Sequence, residues 1–129
     1  MRILALDHGS ARCGCAISDL TGTIVRPLDP ISPPEPAAVA DLVAEYGVEL
    51  VLVGLPVSLD GAEGAQAAEA REFSDRIAAV IDVPVETYDE RLTTRMAAAS
   101  RREGSRAAED SLAAAHLLDS YLLSLEVRR

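Results

Sequence analysis

Short apolar runs, broken by glycines, prolines and paired charges, set the rhythm of this chain. Residues 2–7, 13–18 and 23–28 read as three short strands. A loop containing Gly9 joins the first two, and Asp19-Leu20-Thr21-Gly22 turns the second into the third, so the three form a meander. Pro27, Pro30, Pro33 and Pro34 predict a rigid connector next, because proline is excluded from strand interiors. A helix is expected over 35–46, with Val39, Leu42, Val43 and Tyr46 as its apolar stripe and Gly47 as its stop. Residues 49–55 are almost continuously apolar, the pattern of a central strand buried on both faces.

A loop from Pro56 to Gly64, containing Asp60-Gly61, leads to a second helix that runs to about 81, with Ala70, Phe73, Ile77 and Ile81 on one face. Residues 84–88 predict a fifth strand ending at Asp89-Glu90-Arg91. Thr93 or Thr94 caps a further helix that Gly104 ends, and a last helix spans 108–125, with Leu118, Leu122 and Leu125 spaced for burial. The order β-β-β-α-β-α-β-α implies an α/β fold, a mixed five-stranded sheet with helices on both faces. With no repeat, linker or low-complexity tail, residues 1–129 are expected to form a single domain.

Composition narrows the class. The chain is 49% hydrophobic, enough for a core, yet has no apolar run long enough to cross a membrane. It enters a strand at once, leaving no room for a signal peptide. Cys13 and Cys15, its two cysteines, lie two apart on one strand and point to one face, poorly placed to bridge each other. Reduced thiols and the absence of a leader point to the cytoplasm, with no membrane partner.

The net charge of −9 argues at first against a nucleic-acid partner. Its distribution changes the picture. All 12 basic residues are arginine, and Arg91, Arg95, Arg101, Arg102 and Arg106 are opposed within their own window only by Glu103. That window carries +4, leaving −13 on the remainder. It reads either as a phosphate-binding stripe or as a solvated helix face.

In open α/β sheets, ligands sit beyond the carboxyl ends of the strands. Asp7 and Asp89-Glu90 both fall at such ends. Asp7, one of Asp89 and Glu90, and Asp110 would together suit Mg²⁺, which takes oxygen ligands and is usually shared with substrate phosphate. Adjacent strand residues point to opposite faces, so only one of Asp89 and Glu90 reaches a given site. Each acid also has a plain structural reading: Asp110 as a helix cap, Asp89 as a turn residue or partner of Arg91. Asp7 is the hardest to explain without chemistry, since an idle charge is costly at the end of an interior strand. Gly9 allows close backbone approach, and Arg12 could clamp a phosphate or simply face solvent. His8 and His116 are not at metal-ligand spacing, and no nucleophile motif, phosphate loop or dinucleotide fingerprint is present.

These residues resemble the YqgF/RuvX family of Holliday junction resolvases, whose members are also described as pre-16S ribosomal RNA nucleases. The resemblance runs from Asp7-His8-Gly9-Ser10-Ala11-Arg12 to Asp19, through Val53-Gly54-Leu55-Pro56 and Asp60-Gly61. It continues in Asp89-Glu90-Arg91-Leu92-Thr93-Thr94 and ends in Asp110-Ser111-Leu112-Ala113-Ala114 with Tyr121-Leu122. It implies an RNase H-like fold and phosphodiester cleavage with Mg²⁺ or Mn²⁺. Asp7, Glu90 and Asp110 stand on the acidic positions, with Asp89 beside them. The nucleic-acid contacts expected are Gly9, Arg12, Arg91, Thr94, Arg95, Arg101 and Arg102. The expected substrate is the 5′ end of precursor 16S rRNA, on the assembling small ribosomal subunit; a four-way DNA junction is the alternative. A non-catalytic RNA-binding assembly factor using the same surface is the competitor from another class. An actin-like ATPase also carries an aspartate-glycine turn between its first strands, but needs two lobes where 129 residues supply one.

Overall fold

In the computed structural model the described residues are 1–57, 61–92 and 111–128. Five strands, β1 (Ile3–His8), β2 (Cys13–Ser18), β3 (Val25–Ile31), β4 (Leu50–Leu55) and β5 (Val85–Asp89), form one sheet in the order β3-β2-β1-β4-β5. β1 pairs antiparallel with β2, and β2 with β3, whereas β1–β4 and β4–β5 are parallel. The sheet is therefore mixed, with the meander on one side and crossover connections on the other.

Alternation along the inner strands divides the core in two. Leu4, Leu6, Cys13, Cys15, Ile17, Val51 and Val53 face α1 (Pro36–Tyr46) and α2 (Ala65–Ala78), packing on Val39, Phe73 and Ile77. Ile3, Ala5, Ala16, Leu50 and Leu52 face α3 (Leu112–Arg128), packing on Ala114, Ala115, Leu117 and Leu118. Helices thus cover both faces. Both cysteines are free and buried. β4 is buried along its whole length, as its apolar run requires.

The third strand differs from expectation. It runs to Ile31 and includes Pro27 and Pro30, where a connector was predicted. β3 is an edge strand, so the missing N–H groups leave no interior ladder broken. The register between β2 and β3 also shifts, with Cys13 opposite Ile31 but Cys15 opposite Leu28. α2 ends at Ala78 rather than near 81, although Ile81 still packs on the core. The helix expected between Thr93 or Thr94 and Gly104 lies outside the described residues, as do 108–110. Among the described residues, no helix is long and apolar enough to cross a membrane.

Two serines clip α3 across the sheet. The Ser111 side chain is fully buried; it accepts from the Cys15 N–H at 2.9 Å and donates to the Leu28 carbonyl at 2.6 Å. It thereby satisfies two backbone groups at the irregular β2–β3 register. Further along the helix, Ser120 donates to the Leu92 carbonyl at 2.8 Å, and its Oγ lies 3.1 Å from the Tyr88 hydroxyl. One end of α3 is fixed to the meander, and its middle to the turn that follows β5.

Candidate active site

Asp7 continues the Ile3–Ala5 stripe onto the α3 face. Its antiparallel partner is Gly14, and one step earlier Leu6 pairs with Val53, which puts Gly54 beside it on the other neighbouring strand. Two glycines therefore flank the acid, and the side chains they lack leave open ground above the sheet. The preceding alternation sends His8 to the opposite face, where its ring stacks on Phe73 at 4.6 Å. His8 belongs to the α2 side of the core.

Glu90 opens a short 3₁₀ turn, Glu90–Leu92, directly after β5. That turn folds its side chain back over β4. A Cβ on Gly54 would lie 2.8 Å from Glu90 Oε2 and 3.2 Å from Leu117 Cδ2. Real Cβ atoms do not approach so closely, so glycine at 54 is what lets Glu90 cross to Asp7. The two carboxyl groups share a hydrogen bond. Burial raises the pKa of Asp7 first of all. Glu90 is pushed up to about 7, by burial and then by the negative charge of Asp7.

Asp89 is turned away. Its carboxylate takes a two-pronged ion pair from Arg91, with Nη2 to Oδ2 at 2.6 Å, and accepts the Arg91 backbone N–H at 2.8 Å. Those bonds hold Asp89 below the usual carboxylate range. Of the two neighbouring acids, Glu90 is the one brought to Asp7. Asp89, expected beside it as a metal ligand, instead orients Arg91. At the β1–β2 turn, the Gly9 N–H donates to the Arg12 carbonyl at 2.9 Å, and a Cβ at Gly9 would stand 2.9 Å from that oxygen. The turn is closed too tightly for any other residue, and it carries Arg12 at the surface.

A cleft of about 200 Å³ is lined by Asp7, Glu90, Ala113, His116 and Leu117. That is room for a phosphate group with several waters. His116 was set aside in the sequence for want of a ligand partner at metal spacing. The signal was in the helical period: 113, 116, 117 and 120 share one face of α3, and only its packing against the sheet shows what that face meets. Asp110, Thr94, Arg95, Arg101 and Arg102 lie outside the described residues. Among those described, no cluster of three or more acids, histidines or cysteines is placed to hold a metal. The donor set in view is a pair of neighbouring carboxyl groups whose mutual repulsion a proton or a divalent cation relieves.

A mixed sheet in this order, with one acid on its middle strand and another just past β5, defines an RNase H-like fold. The solved structure of Thermus thermophilus RuvC in complex with a Holliday junction substrate superposes with a TM-score of 0.62. It shares 16% identity and covers 98% of this chain and 96% of that one, a likeness of fold. The profile of the RuvX family, described as Holliday junction resolvase, matches residues 1–124. A protein of Chloroflexus aggregans named "Putative pre-16S rRNA nuclease" is 45% identical over 130 residues, spanning 93% of this chain and 92% of its own. One of the same name from Pelotomaculum thermopropionicum is 38% identical over 133 residues, spanning 95% and 86%. The chain belongs to the RuvX family.

Proposed function

We propose that this chain is a metal-dependent endonuclease that hydrolyses phosphodiester bonds, trimming the 5′ end of precursor 16S rRNA as the small ribosomal subunit assembles in the cytoplasm. The contact between Asp7 and Glu90 in an open cleft carries the proposal. Two half-buried carboxylates pressed together repel unless a proton or a cation lies between them. Hard oxygen donors with room for water and phosphate suit Mg²⁺ or Mn²⁺. When bound, such an ion activates water and stabilises the charge of the leaving oxygen. Asp7 and Glu90 would hold it, with Asp110, next in the chain to the anchored Ser111, as the third proposed ligand.

Gly9 and Arg12 at the β1–β2 turn, and Arg91 oriented by Asp89, are the proposed phosphate contacts nearest in the chain to the two acids. Thr94, Arg95, Arg101 and Arg102 extend them along the basic window. The names of the relatives and the single basic stripe favour RNA. The family description favours a second substrate, a four-way DNA junction.

Purified protein incubated with a precursor 16S 5′ fragment and with a four-way junction, with and without Mg²⁺ or Mn²⁺, decides between them. Metal-dependent cutting of the RNA is expected. Cutting of the junction alone would move the assignment to DNA resolution. Tight RNA binding with no cutting under any metal would leave a non-catalytic assembly factor.

A further inference from the structure

We propose that β5 is the seam of a symmetric dimer, its open edge pairing antiparallel with β5 of a second copy about a two-fold axis at Thr87. The inference concerns assembly and stands apart from the nuclease reading.

The two edges of the sheet are built differently. β3 carries Pro27 and Pro30 and a shifted register against β2, devices that keep other strands from joining an edge. β5 has no proline within Val85–Asp89 and pairs with β4 in unbroken register. The Val51 N–H donates to the Pro84 carbonyl at 3.0 Å. Backbone groups alternate sides along a strand, so the N–H and carbonyl groups of Val85, Thr87 and Asp89 point away from β4. Glu86 and Thr87 are exposed, and no described strand lies beyond them.

The edge is complementary to itself. Antiparallel pairing centred on Thr87 sets Thr87 against its own counterpart and Val85 against Asp89, all as hydrogen-bonded pairs, for about six new bonds. Glu86 falls opposite Tyr88, so no like charges face each other directly. Past the strand, the same register brings Leu92 of one copy level with residue 82 of the other, at the end that carries Val80. Leu92 and Val80 are 57% and 53% exposed, and a seam in this register draws both out of water at each of its ends. Pairing of β5 with β3 of another copy would grow an open filament, and the prolines of β3 oppose it. The closed dimer is one continuous sheet, with both Asp7–Glu90 clefts on the same face.

The test follows the mass of the full chain by light scattering over a range of concentrations. Wild type should dimerise. Thr87→Pro removes an outward N–H without touching the β4 ladder, which costs two bonds per dimer and predicts self-association weaker by roughly tenfold or more. Thr87→Arg sets like charges opposite each other at the axis and should act in the same direction, which keeps the test open if the proline variant unfolds. Thr87→Cys reports the register. Hydrogen-bonded partners lie about 5.5 Å apart at Cα, within disulfide reach, so oxidised glutathione should link two copies faster than it links Glu45→Cys, placed on the exposed side of α1. A monomeric wild type at every concentration would overturn the inference. So would a dimer that both Thr87→Pro and Thr87→Arg leave intact, or equal cross-linking at positions 87 and 45.

Discussion

Asp7 and Glu90 are placed where neither ionises easily, and pH is the direct way to expose that. Glu90 keeps its proton in the fold up to about 7, against 4.5 for an ordinary glutamate. Between those values the folded protein binds more protons than the unfolded one, so metal-free stability falls as pH rises through that window. Thermal unfolding in chelator should show this decline, and Glu90→Gln should flatten it and exceed wild-type stability above about pH 7. A flat wild-type profile would contradict the contact. Cleavage should run the opposite way, rising with pH as the ligands lose their protons. Gly54→Ala probes the same contact sterically. Its Cβ would meet the mobile end of Glu90 at 2.8 Å, and Glu90 can swing aside. Stability should drop by no more than about 1–3 kcal/mol, while metal-dependent cleavage collapses; cleavage near the wild-type rate would show that Glu90 is not needed where it lies. The sequence exposed Asp7 and the Asp89-Glu90 pair because charges at strand ends stand out against apolar runs. Which of the pair turns inward depended on the 3₁₀ turn and on Arg91 capturing Asp89, neither of which has a periodic signature.

Elements were legible where pattern and burial agree. β1, β2 and β4 are apolar enough to be read within a residue or two, and α1 stops at Gly47 as expected. β3 was cut short because proline is a poor interior strand residue, and strand order, which made β3 an edge, is invisible to local pattern. Parallel pairing of Ile3 with Leu50 spans most of the first half of the chain, and no neighbouring residue announces it. Ser111 was hidden for the same reason: it falls inside the expected last helix, next to Asp110 as the cap candidate, yet it spends its hydroxyl on two strands of the meander. Ser111→Ala should leave the Cys15 N–H and the Leu28 carbonyl unpaired in the interior and cost roughly 2–4 kcal/mol, read by urea denaturation. A loss below about 1 kcal/mol would mean that the clip is dispensable.

At the scale of the molecule, charge divides the work. A chain of net charge −9 gathers five arginines between 91 and 106, and most of the proposed phosphate contacts fall in that stretch. Arg95→Ala or Arg101→Ala should each weaken RNA binding and lower the slope of log affinity against log salt by about 1, as one phosphate contact is lost. Unchanged slopes in both would remove the stripe from the account. The mixed sheet supplies the rest: β1 places Asp7 at its centre, β5 delivers Glu90 from one side, and α3 lines the cleft beside both acids.

The most direct measurement is cleavage of a precursor 16S 5′ fragment by wild type and Asp7→Asn, with RNA binding measured on the same samples. Asparagine keeps the volume at position 7 and removes the charge that holds a cation. Metal-dependent cutting by wild type, abolished in a folded Asp7→Asn protein that still binds RNA, is the predicted result. Equal cutting by both would contradict the assignment of the Asp7–Glu90 cleft as the active site.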